Sequence, residues 1–175
     1  MTTDYKDNPP DFAIRPPNNG GRTRLSTLAA TGGCGCKLSP QQLHGLLHTA
    51  ATLSPMTPPP NLLVGAETSD DAAVWQLDEN CAIVATADFF APMIDYPRHF
   101  GRVAAANALS DIYAMGAVPM LALALTAFPR ASLTTADMAD ILAGGRDCCN
   151  AAGVILAGGH SIDTQEPLYG LAVIG

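Results

Sequence analysis

RHFGRVAAANALSDIYAMGAVPMLALALTAF, residues 98–128, changes period once, and that change decides the fold. From Arg98 to Met115 the stretch is rich in alanine, with Ala105, Ala108, Ile112 and Met115 on one side of a helix and Gly116 as its stop. From Val118 to Phe128 it runs apolar with little alternation, as a buried strand does. A helix delivered into a buried strand predicts a layered α/β architecture.

The flanking sequence extends the pattern. Downstream, Thr134 to Ala152 reads as a second long helix: Thr134 caps it, Asp137 follows three residues on, and Gly153 terminates it. VILA and LYGLAVIG, beginning at Val154 and Leu168, read as the last strands. Upstream, LLVG from Leu62, AAVWQL from Ala72 and AIVATADFF from Ala82 read as strands separated by Asp, Glu and Asn clusters. Trp75 and Phe100 read as core, and Cys81, Cys148 and Cys149 as packing residues. Pro40 to Leu53 reads as a shorter helix, with Ser39 as N-cap, Pro40 in the first position and Leu43, Leu46 and Leu47 on one side. Strands alternating with two long helices predict an α/β or α+β sandwich with one sheet face covered. Three parts are expected: a disordered leader over 1–24, a mobile Gly/Cys loop over 25–39, and a folded domain over 40–175.

Charge and cysteine usage narrow the function. The chain has 175 residues, 48% of them apolar, and a net charge of −7, which argues against nucleic acid as a main partner. Between Leu38 and Pro97 there is no Lys or Arg, yet Glu67, Asp70, Asp71, Asp78, Glu79, Asp88 and Asp95 fall there. Where such groups converge, a bound cation relieves their repulsion. The five cysteines are an odd number, with Cys148 and Cys149 adjacent, so no secreted disulfide framework is expected. Met1 to Asn19 lacks the apolar core of a signal peptide, and the apolar run Val118 to Phe128 is too short to span a bilayer. A reducing, cytoplasmic compartment is the expectation.

The chemistry concentrates in TGGCGCKLSP, residues 31–40. Glycines at 32, 33 and 35 free the backbone around Cys34, and Lys37 can bring its ammonium near that thiol and lower its pKa. A turn holding two ordinary small cysteines is the alternative. A Cys₂His₂ zinc site from Cys34, Cys36, His44 and His48 is a further one, although CxC is tighter than the usual spacing. His99, at a helix start, is expected to face solvent. Glu67 to Asp71 connects two strands, Asp88 is expected at a strand end, and Asn107 and Asp111 share one helix face. Asp71, Asp88 and Asp111 together suit a hard cation such as Mg²⁺ that leaves positions for phosphates. Gly158-Gly159-His160-Ser161, after a strand, offers a weak anion-binding turn.

Taken together, GGCGCKLSP, NLLVGAETSDDAAVW, TADFFAPMIDYPRHFGRVAAANALSDIYAMGAVPM, GGRDCCNAAGVILAGGHSID and EPLYGLAVIG resemble the N-terminal half of the selenophosphate synthetases, over Leu25 to Gly175. Their relatives include aminoimidazole ribonucleotide synthetase and thiamine-monophosphate kinase; the GCGCK loop separates this family from them. The resemblance implies an N-terminal domain of the aminoimidazole ribonucleotide synthetase type, dimerising through its sheet. It implies synthesis of selenophosphate, AMP and orthophosphate from ATP, selenide and water, with Mg²⁺. It makes Cys34 the essential cysteine and Lys37 an essential, phosphate-contacting lysine. Thr68, Ser69 and Asp70 become a nucleotide-contacting loop, Asp71 a metal ligand, Asp88 a nucleotide and metal contact, and Asp111 a metal ligand that also borders the nucleotide. Gly159, His160 and Ser161 become a further nucleotide loop near a dimer interface. The family also has a C-terminal domain carrying another metal-binding aspartate, so this chain is expected to be the N-terminal part. Two other readings stay open: a sister kinase or ligase phosphorylating an oxygen nucleophile, and a nucleotide-binding dimerisation module without turnover.

Overall fold

The computed structural model of the chain describes residues 24–68 and 70–175; Ser69 and the expected leader, apart from Arg24, lie outside them. Six strands form one mixed sheet: β1 (Leu62–Val64), β2 (Ala73–Asp78), β3 (Cys81–Phe90), β4 (Leu121–Phe128), β5 (Ile155–Asp163) and β6 (Leu168–Ile174). Their spatial order is β1-β2-β3-β6-β4-β5, antiparallel throughout except for the β4–β5 pair. The helices are α1 (Pro40–Leu53), α2 (Pro97–Ala114) and α3 (Thr135–Ala151). The predicted α/β sandwich is therefore the fold.

Both long helices lie on one face. Alternation along the strands sends Val84, Phe90, Ala122, Ala124, Tyr169, Leu171 and Val173 to that face. There they meet Phe100, Ala104, Ala105, Ala108 and Ile112 of α2 and Ile141 of α3 in one core. Small residues let α2 and α3 approach closely. A Cβ on Gly101 would stand 2.0 Å from the Ile141 carbonyl oxygen, and one on Gly144 would stand 2.1 Å from that of Arg98. Gly145 leaves room for the Tyr169 hydroxyl, whose pKa burial raises strongly. Arg98 and Arg102 of α2 share Asp147 of α3 at 2.8 and 2.9 Å, closing the helix pair at its rim.

The helix ends follow local chemistry. Ser39 and Gln42 form a reciprocal capping box on α1, and Thr134 and Asp137 form one on α3. Gly116 (φ 75°) and Gly153 (φ 71°) end α2 and α3 in the left-handed region that glycine permits. The other sheet face carries exposed Phe89, Leu123, Ile155 and Ile162.

Several expectations change. Trp75 is 43% exposed: it pairs with Ile83 on the open face, whereas Val74 packs inward. Cys81 is exposed at the β2–β3 turn, while Cys149 is buried, its thiol pushed up to about 11 by that burial. His99 is half-buried and its ring lies 5.6 Å from that of Tyr96. The leucine side of α1 packs on nothing, since no residue of α1 is buried. Asp88 lies inside β3, opposite Leu171, rather than beyond the strand's end. Gly158 to Ser161 is not a turn, because β5 continues through it to Asp163. Gly158 (φ 155°) and Gly159 (φ 149°) hold an extended backbone that suits glycine, and a Cβ on Gly159 would meet the Ala124 oxygen at 2.0 Å.

Candidate active site

β3 and α2 supply the two walls of the site. Thr86 and Asp88 share the parity of Val84 and Phe90, so they point toward the helix layer. Opposite them α2 presents Asn107 and Asp111, one turn apart on a single stripe. The Asn107 amide donates to Asp88 Oδ2 at 2.5 Å, and the Thr86 hydroxyl donates to Asp111 Oδ2 at 2.7 Å. Thr86 Oγ1 also lies 3.3 Å from the Asp71 carbonyl oxygen, which ties the β1–β2 connection to the same wall.

The glycine–cysteine loop closes on this wall. Gly33–Cys36 forms a short 3-10 turn, entered through Gly33 at φ 57°. That turn sends Lys37 Nζ to Asp88 Oδ2 at 2.6 Å, a pair linking residues 51 apart in sequence. The lysine's first partner is therefore a carboxylate rather than the Cys34 thiol. Its hydrogen bond to Asp88 raises the Lys37 pKa, with the charges of Asp88, Cys34 and Asp111 acting the same way. A lysine so raised contributes stability fully below its unfolded value, and loses it only as pH rises through the higher folded value. At neutral pH the ammonium is therefore a fixed charge.

Asp111 behaves oppositely. Desolvation raises its pKa first, the Thr86 hydrogen bond opposes that rise, and the charges of Asp88 and Asp71 add to it. Ionised Asp111 therefore costs stability, a cost that sets in as pH climbs from the unfolded value of about 3.8 and is complete above the folded one. One ammonium stands against three carboxylates, so the cluster is short of positive charge.

Carboxylate, amide and hydroxyl oxygens make a donor set that fits a hard divalent cation. Among the described residues no three His, Cys, Asp or Glu side chains already stand close enough to form a ready-made metal cluster. Cys34, Cys36, His44 and His48 form no such cluster, and all four are exposed.

The remaining candidate residues are arranged unevenly. Thr68 and Asp70 are exposed on the loop between β1 and β2, with the Thr68 hydroxyl turned to the Gly65 carbonyl at 3.2 Å. Gly159, His160 and Ser161 are not brought to the carboxylates. Asp88 pairs with Leu171, Leu171 with Ala124, and Ala124 with Gly159. Three strand spacings, about 14 Å, thus separate Asp88 from Gly159 across the sheet. Thr126 holds this edge by donating to the His160 carbonyl at 2.9 Å and contacting Ser161 Oγ at 2.6 Å. His160 borders an apolar depression on the open face with Phe89, Leu125 and Ile162. Thr86 was not singled out from sequence; its signal was the strand parity it shares with Asp88.

The stretch that carries most of this sheet and its acidic wall matches a known family. Residues 69–175 match the AIR synthase related protein, N-terminal domain, and the chain belongs to that family. Within the family it is similar to curated relatives named selenide, water dikinase: 54% identical over 152 residues to one from Rhizobium meliloti (strain 1021) and 56% over 155 residues to one from Burkholderia ambifaria (strain MC40-6). Each alignment takes in 87% of this chain but only 43% and 42% of the relative, so the chain spans under half their length. Among solved structures, the fold is similar to tt0281 from Thermus thermophilus, with a TM-score of 0.63, 22% identity, and coverage of 79% of this chain and 45% of that one. It is also similar to thiamine monophosphate kinase from Aquifex aeolicus, with a TM-score of 0.57, 17% identity, and coverage of 79% and 44%.

Proposed function

We propose that the chain forms the nucleotide-binding part of a selenide, water dikinase, which makes selenophosphate, AMP and orthophosphate from ATP, selenide and water. The observation that carries this reading is the 2.6 Å pair between Lys37 and Asp88. It joins the GCGCK loop, which a sister kinase acting on oxygen does not need, to the acidic wall common to phosphate chemistry.

The chain's own residues have separable tasks in this proposal. Lys37 exchanges Asp88 for nucleotide phosphate. The lysine side chain is 46% exposed while the Asp88 carboxylate is 11% exposed, so the ammonium can turn from its carboxylate to a polyphosphate arriving from the solvent side. Asp71, Asp88 and Asp111 would hold Mg²⁺, which when bound supplies charge neutralisation for the phosphates. Asn107 and Thr86 keep Asp88 and Asp111 aimed while that exchange occurs. Thr68, Ser69 and Asp70 border the nucleotide from the β1–β2 loop, and Gly159, His160 and Ser161 serve a nucleotide near the edge of the sheet. Cys34, exposed on the glycine turn next to Lys37, handles the selenium. All five cysteines are unpaired, which suits a reducing, cytoplasmic setting; no helix of the described residues is long and apolar enough to cross a membrane.

Nucleotide product analysis of the full-length enzyme tests the reaction. AMP and orthophosphate should appear only when selenide accompanies ATP. ADP as the sole product, independent of selenide and with an alcohol as acceptor, would assign the site to oxygen phosphorylation instead.

The proposal includes a homodimer formed through the open sheet face. Phe89, Leu123 and Ile162 are 49%, 39% and 51% exposed there, and a continuous apolar surface of this kind marks an interface. The chain should sediment as a dimer, and Leu123→Glu with Ile162→Glu should yield a folded monomer. A wild-type monomer at high concentration would contradict the assignment.

A further inference from the structure

Asp95 lies in the linker between β3 and α2, outside the acidic wall, and three donors converge on its carboxylate. Arg24 Nε donates to Oδ2 at 2.7 Å; Ser26 donates to Oδ1 through its hydroxyl at 2.5 Å and its backbone N–H at 3.1 Å. These hydrogen bonds hold the Asp95 pKa below the ordinary carboxylate value. Between Arg24 and Ser26, which supply these donors, Leu25 is fully buried in the core, and the Thr27 hydroxyl closes the turn onto the Arg24 carbonyl at 2.7 Å.

Further along, the same linker grips the segment again. The Gly33 N–H donates to the Ala91 carbonyl at 2.9 Å. A Cβ on Gly32 would stand 2.4 Å from the Pro92 backbone oxygen, and Gly33 holds φ 57°, so both positions favour glycine. Cys34 is the next residue. Beyond it Lys37 ties the loop to Asp88, and α1, which follows, has no buried residue.

We infer that Asp95 is a positioning residue: it fixes the base of the glycine–cysteine loop, so that Cys34 stays over the site when Lys37 leaves Asp88 for phosphate. The inference rests on the proposed function for what Lys37 does, but the anchoring itself does not. Lys37–Asp88 is the tie a polyphosphate would compete for. Lys37 and Asp88 hold the loop from beyond Cys34, so when that tie opens the thiol depends on the holds before it: the Gly33–Ala91 bond, buried Leu25 and the Asp95 network. Asp95 supplies the side-chain part of that hold from the linker that joins the strand carrying Asp88 to the helix carrying Asn107 and Asp111. The anchor and the acidic wall are therefore joined through one short linker.

The test needs no turnover. Amide exchange at Gly33 and iodoacetamide labelling of each cysteine, resolved by peptide mass, are followed in this chain with and without Mg²⁺ and a non-hydrolysable ATP analogue. A charge-assisted network of this kind holds a segment well enough that its loss should raise the rate of local opening by about tenfold or more. Asp95→Ala should therefore speed Gly33 exchange by that factor and raise Cys34 labelling, most of all with nucleotide present, while buried Cys149 and the α2–α3 amides stay protected. Ser26→Ala, which removes one hydrogen bond and leaves the core alone, should give a smaller change in the same direction. If Asp95→Ala also exposes Cys149, the Ser26→Ala result decides. In the full-length enzyme Asp95→Asn should lower kcat with little change in KM for ATP. Gly33 exchange and Cys34 labelling unchanged in a folded variant would overturn the anchor, whatever reaction the site performs. Anchoring without selenide-dependent AMP would leave the anchor standing and remove the reaction.

Discussion

Lys37→Met in the full-length enzyme should lower selenide-dependent AMP formation by about 10²–10³-fold, the loss typical of removing one preorganised group that stabilises charge in the transition state. Lys37 is the ammonium that meets Asp88, and its charge acts on Asp111 as well. Its loss leaves Asp88 with the Asn107 amide and adds to the carboxylate repulsion that a polyphosphate must overcome. Nucleotide affinity and kcat should therefore both fall. Lys37→Arg should rescue little, because a planar fork does not occupy the place of a compact ammonium 2.6 Å from one carboxylate oxygen. Cys34→Ser separates the two tasks of the loop: it should abolish selenide-dependent turnover and leave nucleotide binding unchanged. Steady-state rates beside direct nucleotide titration read both effects. Turnover of Lys37→Met within tenfold of wild type would show that the loop does not serve the phosphates.

The parts of this molecule legible in sequence are those set by local chemistry. Ser39 and Pro40 specify where α1 begins, and Thr134 with Asp137 does so for α3, because capping is set by residues within one turn of the helix start. The Asn107–Asp111 stripe was legible for the same reason: helical period alone puts the two on one face. What was not legible depends on which sheet face a residue meets. Trp75 is apolar and sits in a strand, yet its parity places it on the open side. Thr86 looks like an ordinary strand residue until its parity with Asp88 places it against Asp111. Gly158-Gly159 has the composition of a turn; close approach to Ala124 in a parallel pair makes it strand. The Asp95 anchor joins residues 69 and 71 apart, a separation no local pattern reports.

The site stands or falls with whether Asp71, Asp88 and Asp111 are where Mg²⁺ and nucleotide bind, and ligand-induced thermal stabilisation of this chain measures that directly. Binding to the native state alone adds RT ln(1 + [L]/Kd), about 2.7 kcal/mol at a hundredfold excess over Kd. For a domain of this size that is about 5–10 °C in Tm. Mg²⁺ with a non-hydrolysable ATP analogue should stabilise more than either alone, since each relieves the charge the other brings. Asp71→Asn and Asp111→Asn should each remove most of that gain. Their ligand-free Tm should equal or exceed the wild-type value at pH 7. Ionising Asp111 in particular costs the fold, because burial and then the neighbouring carboxylates raise its pKa, and an asparagine oxygen can still accept from Thr86. A full ligand-induced shift retained in both variants would place the nucleotide–metal site elsewhere and contradict the account.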